Sequence, residues 1–211
     1  MIQSLNKLIP QQRRTLAPEK LEEYTEHFKK VLIKYGYTRD VTNAAQFDRL
    51  ASYMAEYCAG RKGEASRPAK GLFLYGKPGA GKTHAMRIFS GVFEIEFIQV
   101  WQLTKAFTAD GARAFWDTID NLHGKDCIID DIANESAVRR FGNTFPIIDL
   151  LAARNAENNA LTFFTSNADG KTVSGLYGDF IYSRICGMCE PLKFDGVDHR
   201  RLKPQTTEEN K

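Results

Sequence analysis

A chain of 211 residues that is 43% hydrophobic can bury one α/β core of ordinary size with a small helical appendage, and excludes two large domains. No stretch approaches the roughly 18 uncharged apolar residues of a membrane span, and residues 1–10 lack the apolar run of a signal peptide, so a cytoplasmic protein with no membrane partner is expected. The net charge of +3 is too small to announce a nucleic-acid binder, but residues 1–70 carry 13 Lys and Arg against 8 Asp and Glu; a polyanion should prefer that part, although solvated helix faces produce the same imbalance.

The first elements read as helices. Pro18 suits a first-turn position, Leu21, Tyr24, Phe28, Val31, Leu32 and Tyr35 follow at helical spacing, and Gly36 supplies the stop. Asn43 with Gln46 three residues on resembles a capping box for a second helix, whose apolar stripe is Phe47, Leu50, Met54 and Tyr57. Residues 60–70, GRKGEASRPAK, are polar and rich in Gly, Pro and charge, which marks a linker or exposed loop. The division expected is a helical segment at 1–60, a linker at 61–70, a core at 71–200 and a polar tail at 201–211. With so short a tail, no further C-terminal helical domain is expected.

Beyond the linker, short apolar runs alternate with helical patterns, the signature of a parallel sheet with crossover helices. Five strands are predicted, at 71–75, 96–100, 127–129, 161–165 and 191–194. Helices are predicted between them at 82–93, 104–122, 143–157 and 173–186. Cys58, Cys127, Cys186 and Cys189 are too scattered for a disulfide framework. The Cys186-x-x-Cys189 pair lacks the second pair of a zinc site, so half-buried thiols are expected, and His27, His84, His123 and His199 show no ligand spacing.

Gly76-Lys77-Pro78-Gly79-Ala80-Gly81-Lys82-Thr83 fits the phosphate-loop pattern G-x-x-x-x-G-K-[ST] in full, with an apolar strand running in and a helix leading out. Glycines let the backbone turn its N–H groups onto phosphate oxygens, and the helix aims its positive end at the same anion. Lys82 then serves the β- and γ-phosphates, Thr83 completes a Mg²⁺ shell, and His84 is counted with the loop. ATP and Mg²⁺ are therefore the expected ligands.

Cys127-Ile128-Ile129-Asp130-Asp131 is an apolar strand ending in two carboxylates, and in a parallel sheet that end lies beside the phosphate loop. Asp130 is placed to hold Mg²⁺ and Asp131 to orient the attacking water, although strand-end acids also serve as plain loop caps. Leu161 to Asn167 repeats the pattern and ends on Ser166 and Asn167, whose amide could bond the γ-phosphate or its attacking water; Ser-Asn also starts turns.

The order of these parts, GLFLYGKPGAGKTH, CIIDDI, FFTSNA, YSRICGM and FDGVDHRR, resembles the AAA+ ATPases of the DnaC and IstB group, bacterial helicase loaders and transposition helpers, over residues 45–202. The resemblance implies a P-loop NTPase fold with a parallel five-stranded sheet in the order 5-1-4-3-2. It implies that Gly76 to Thr83 is Walker A, that Asp130 and Asp131 are Walker B, and that Asn167 is the first sensor. It further implies Arg184 as an arginine finger reaching a neighbouring subunit in a homo-oligomer, and Arg200 as a second sensor. Partners implied are a replicative helicase or a transposase, with single-stranded DNA as a further candidate.

This chain departs from the group at Asp131, where members usually carry Glu. The shorter side chain holds its carboxylate about one bond length further from the water, so hydrolysis should be slow unless Glu135 substitutes. Read without the resemblance, Arg184 is an exposed helical arginine and the aromatics Tyr24, Phe28, Tyr35 and Tyr37 are either a core stripe or a platform for bases. Alternatives to a replication accessory ATPase are a transposition helper, a nucleotide-dependent binding module with little turnover, and a small-molecule P-loop kinase. Against the last stands the absence from this sequence of the arginine-bearing lid insertion that such kinases usually carry between their fourth and fifth strands.

Overall fold

The computed structural model describes residues 13–103, 117, 120–122, 124–133 and 160–199. In chain order these form α1 (Pro18–Lys34), α2 (Ala44–Arg61), β1 (Gly71–Gly76), α3 (Lys82–Phe93), β2 (Glu96–Gln99) and β3 (Cys127–Ile132). They continue with β4 (Thr162–Ser166), α4 (Gly170–Tyr177), α5 (Asp179–Met188) and β5 (Cys189–Phe194). All four strand pairings are parallel and the sheet runs β2-β3-β4-β1-β5, the expected order read from its other edge. The predicted helix at 143–157 lies outside the described residues, and that at 104–122 almost wholly so.

Strand β4 lies between β1 and β3, which decides what the site can contain. Among the described strands, it alone borders both β1, which leads into the loop, and β3, which ends in the carboxylates. The β3–β4 ladder also shifts register. Ile129 pairs with Phe164 and Ile132 with Ser166, so Asp130 and Asp131 together stand opposite Thr165. This is a β-bulge, with Asp131 in the left-handed region at φ 64°. In a regular strand consecutive side chains point to opposite faces; the extra residue brings both carboxylates to the same cavity.

Each side of the sheet carries a core. On one side Leu72, Leu74, Ile128 and Phe163 pack with α3 and with the buried stripes of α1 and α2, Phe28 and Leu32 meeting Phe47, Leu50, Met54 and Tyr57. Phe163 is fully buried there, with ring centroids 4.9 Å from Phe89, 6.0 Å from Tyr53 and 6.2 Å from Tyr57. The helices before residue 60 thus share one core with the sheet. On the other side Phe73, Ile129 and Phe164 pack against α4 and α5.

Several expectations need correcting. Residues 173–186 are not one helix: Gly178, at φ 89° and ψ 154°, leaves helical geometry and separates α4 from α5. Asn43 precedes α2 without a capping box. Its Oδ1 accepts from the Asp40 N–H at 2.9 Å and its Nδ2 donates to the Thr38 carbonyl at 2.7 Å, bonds that tighten the turn instead. The residues after α2, mostly exposed, are bonded to the rest of the fold. Ser66 exchanges hydrogen bonds with the Arg14 main chain, Arg67 pairs with Asp126, and the Lys70 carbonyl accepts from the Tyr53 hydroxyl. The N-terminal aromatics do not form one platform either, since Phe28 and Tyr37 are buried while Tyr35 is exposed. Nor are both thiols of the CxxC pair half-buried: Cys186 is exposed, whereas Cys189 is buried and donates to the Thr162 carbonyl at 3.1 Å.

Because Phe163 is where α2, α3 and the sheet meet, Phe163→Ala should destabilise the fold by about 3–5 kcal/mol. A chemical-denaturation midpoint unchanged from wild type would contradict this packing.

Candidate functional site

A cavity of about 400 Å³ opens at the carboxyl ends of the strands. Of the residues singled out from sequence, Gly79, Gly81, Lys82, Thr83, His84, Asp130, Asp131 and Asn167 line it. Gly76, Lys77, Pro78 and Ala80 belong to the same loop without lining the cavity. Ala80 is buried beneath it, and Lys77 and Pro78 are exposed.

The loop is braced from outside. The Lys77 N–H donates to the Phe194 carbonyl at 3.1 Å, and the His199 N–H to the Gly79 carbonyl at 3.2 Å. Inside it, the Lys82 ammonium is nearly buried, 2.9 Å from the Gly76 carbonyl and 2.7 Å from that of Lys77. An ammonium facing main-chain acceptors within a concave glycine-rich turn is poised to exchange them for phosphate oxygens.

Asp130 is 1% exposed, and its carboxylate accepts from three elements: Thr83 Oγ1 of α3 at 2.9 Å, Thr165 Oγ1 of β4 at 2.6 Å and Gln99 Nε2 of β2 at 3.2 Å. A carboxylate beside a threonine hydroxyl is the hard-oxygen pair that suits Mg²⁺, which takes few protein ligands and completes its shell with phosphate and water. These donors fit the ion. Asp131 is held by the Asn167 amide, Nδ2 to Oδ1, at 3.0 Å, and its own N–H donates to Thr165 Oγ1 at 2.9 Å.

Sequence reasoning missed Gly36, Tyr37, Thr38, Gln99 and His199 as cavity residues, and Thr165 as the brace beneath them. Thr165 carries no motif of its own, and its importance follows from standing opposite the bulge. Gly36 could have been found: it is left-handed at φ 81°, and the bonds Tyr37 N to Leu32 O and Gly36 N to Ile33 O form a Schellman closure that turns Tyr37 inward. One proposed residue stands apart. Arg184 does not line the cavity; its guanidinium lies over the Phe180 ring at 4.4 Å. Arg200 and Glu135 lie outside the described residues.

No protein-family model and no curated protein sequence matches the chain. Solved structures do match. The crystal structure of DnaI aligns with a TM-score of 0.59 at 19% identity, over 78% of this chain and 93% of its own. The DnaC helicase loader aligns with a TM-score of 0.53 at 14% identity, over 84% of this chain and 99% of its own. The chain has the α/β P-loop NTPase fold of these structures, with a five-stranded parallel sheet. AMPPCP-bound DnaA from Aquifex aeolicus aligns with a TM-score of 0.53 at 13% identity, over 85% of this chain; the chain spans about half the length of that protein and of a DNA replication initiation factor. The candidate site lies where the loop after β1 faces the end of β3.

Thr165 ties both acidic residues together, so Thr165→Val, which keeps shape and removes the hydroxyl, should cost about 1–3 kcal/mol of stability. It should also weaken the magnesium dependence of nucleotide binding, and Thr165→Ser should restore both. Urea midpoints and a magnesium titration check this.

Proposed function

We propose that the chain is an ATP-binding AAA+ protein with slow turnover, acting as a DNA-replication accessory factor of the helicase-loader kind. The observation that carries this is one cavity in which the glycine loop, the Lys82 ammonium, the Thr83 hydroxyl and the Asp130 carboxylate converge. The likeness to DnaC and DnaI, over nearly their whole lengths, supports the choice of process.

Bound Mg²⁺ would supply charge neutralisation at the β- and γ-phosphate oxygens. Asp130 and Thr83 would hold it, with Thr165 and Gln99 keeping the carboxylate in position. Lys82 would turn from its carbonyls to the phosphates, and Asn167 would orient Asp131 toward a water. With only one methylene, Asp131 reaches that water poorly, so the bound state is long-lived. Arg184 sits away from its own cavity, and any action on a γ-phosphate would fall on a second subunit. For single-stranded DNA, the basic imbalance of residues 1–70 and the exposed Tyr35 beside Lys34 are the supporting features.

Calorimetry with magnesium should show ATP binding by the wild type and none by Lys82→Ala. A pull-down with a non-hydrolysable ATP analogue should recover a replicative helicase with the wild type and not with that variant; a transposase in its place would move the protein to the transposition reading. No ATP binding by the wild type would end the proposal. Asp131→Glu should speed single-turnover hydrolysis by at least about tenfold. An unchanged rate would show that the short acid does not limit turnover.

A further inference from the structure

Ile132 is flanked by two residues whose main chain is left-handed, Asp131 and Ala133, each at φ 64°. The one other non-glycine residue of that kind among the described residues, Glu94, closes the last turn of α3, where such a conformation is an ordinary helix ending. No helix ends at Asp131 or Ala133. An aspartate tolerates the left-handed region through its short polar side chain, whereas alanine has nothing to offset the crowding of its Cβ. Such a conformation persists where the surroundings over-determine it, and residues of this kind cluster at functional sites.

Three side chains hold the main chain there. The Asp131 N–H donates to Thr165 Oγ1 at 2.9 Å, the Ile132 carbonyl accepts from Ser166 Oγ at 2.8 Å, and the Ala133 N–H donates to the Tyr177 hydroxyl at 2.7 Å. Thr165 and Ser166 belong to β4, the strand alongside. Tyr177 is the last residue of α4, buried in the core that holds Phe73, Ile129 and Phe164, and Gly178 leaves helical geometry directly after it. The helix therefore brackets the acid from both ends. Just before it, Asn167 holds the Asp131 carboxylate at 3.0 Å, and Asp169 caps its first turn by accepting from the Thr172 N–H at 2.9 Å. At its far end Tyr177 grips the main chain beyond that carboxylate. Burial, helped by the nearby Asp131 charge, outweighs the Ala133 N–H and raises the phenol above its ordinary range, so the hydroxyl stays neutral.

We propose that Tyr177 is a positioning residue for ATP hydrolysis: by accepting the Ala133 N–H it locks the left-handed end of β3 and so aims the Asp131 carboxylate at the attacking water. This rests on the reading of Asp131 above as the acid that orients that water, and it concerns a residue that does not line the cavity and belongs to none of the motifs. Without the hydroxyl, Ala133 can relax toward the conformations alanine prefers, which turns the peptide planes on either side of Ile132 and with them the acid. The groups placed on the phosphates and the ion, Lys82, Thr83 and Asp130, are held by other partners, so nucleotide affinity does not depend on the tyrosine.

Tyr177→Phe removes the hydroxyl and keeps the buried ring. Single-turnover hydrolysis of ATP should slow by at least about tenfold, while calorimetry with magnesium shows ATP affinity changed by less than about twofold. Ala133→Val, which leaves the hydroxyl in place and disfavours the left-handed region, should reproduce the slow rate. Glycine adopts φ 64° without strain, so Ala133→Gly added to Tyr177→Phe should recover most of the lost rate. An unchanged rate in Tyr177→Phe would overturn the proposal, as would a loss of ATP affinity as large as the loss of rate, or no recovery with glycine. ATP binding by the wild type without measurable hydrolysis would sink the reading of Asp131 and this proposal with it. Wild-type hydrolysis that Lys82→Ala abolishes upholds the ATPase reading by itself; if Tyr177→Phe then turns over normally, only the role of Tyr177 falls.

Discussion

The arrangement of this protein turns on a single buried carboxylate. Asp130 accepts hydrogen bonds from α3, β4 and β2 at once, and so fixes the first turn of the phosphate-loop helix relative to two strands of the sheet. Burying a carboxylate is costly unless its oxygens are well bonded. Here the cost is offset by three donors, and the same donors aim Asp130 at the position where an ion would join Thr83. Stability and function therefore make the same demand on these side chains. Gln99 extends the arrangement toward the surface, since its Oε1 accepts from the half-exposed Trp101 indole at 2.8 Å.

Much of the fold was legible because its signals are local. The loop from Gly76 to Thr83 is contiguous, the strands are short apolar runs bounded by turns, and α3 occupies residues 82–93 as its pattern predicts. The bulge at Asp130 and Asp131 was not legible. The motif places two acids at a strand end, but whether they face one cavity or opposite faces depends on the register with β4, more than thirty residues further on. Thr165 is invisible for the same reason. It is one β-branched residue in an apolar run, given meaning only by what stands across from it.

The N-terminal helices show the opposite failure, a periodicity read correctly but incompletely. Phe28, Leu32, Phe47 and Leu50 are buried as helical spacing implies, yet nothing in that spacing says they would pack against the face of the sheet carrying Leu72 and Phe163. Tyr37 belonged to the same aromatic series and was open to two readings, core or platform. Three residues beyond the end of α1, it is both core and cavity wall, because the left-handed Gly36 reverses the chain into the site.

A consequence follows for how the site communicates with the rest of the molecule. The phosphate loop is gripped from three directions: by the end of β5 at Lys77, by Asp198 and His199 at Gly79, and by Tyr37 at Gly81. The last two grips approach each other, with His199 Nε2 3.9 Å from a carboxylate oxygen of Asp40. Asp40 also receives the Thr42 and Asn43 N–H groups in the turn that launches α2. A loop that must release Lys82 to admit phosphates therefore cannot shift without loading the turn between α1 and α2. Under the helicase-loader reading, nucleotide state would reach a docking partner along this route, through packed side chains and hydrogen bonds and not through a hinge between separate domains.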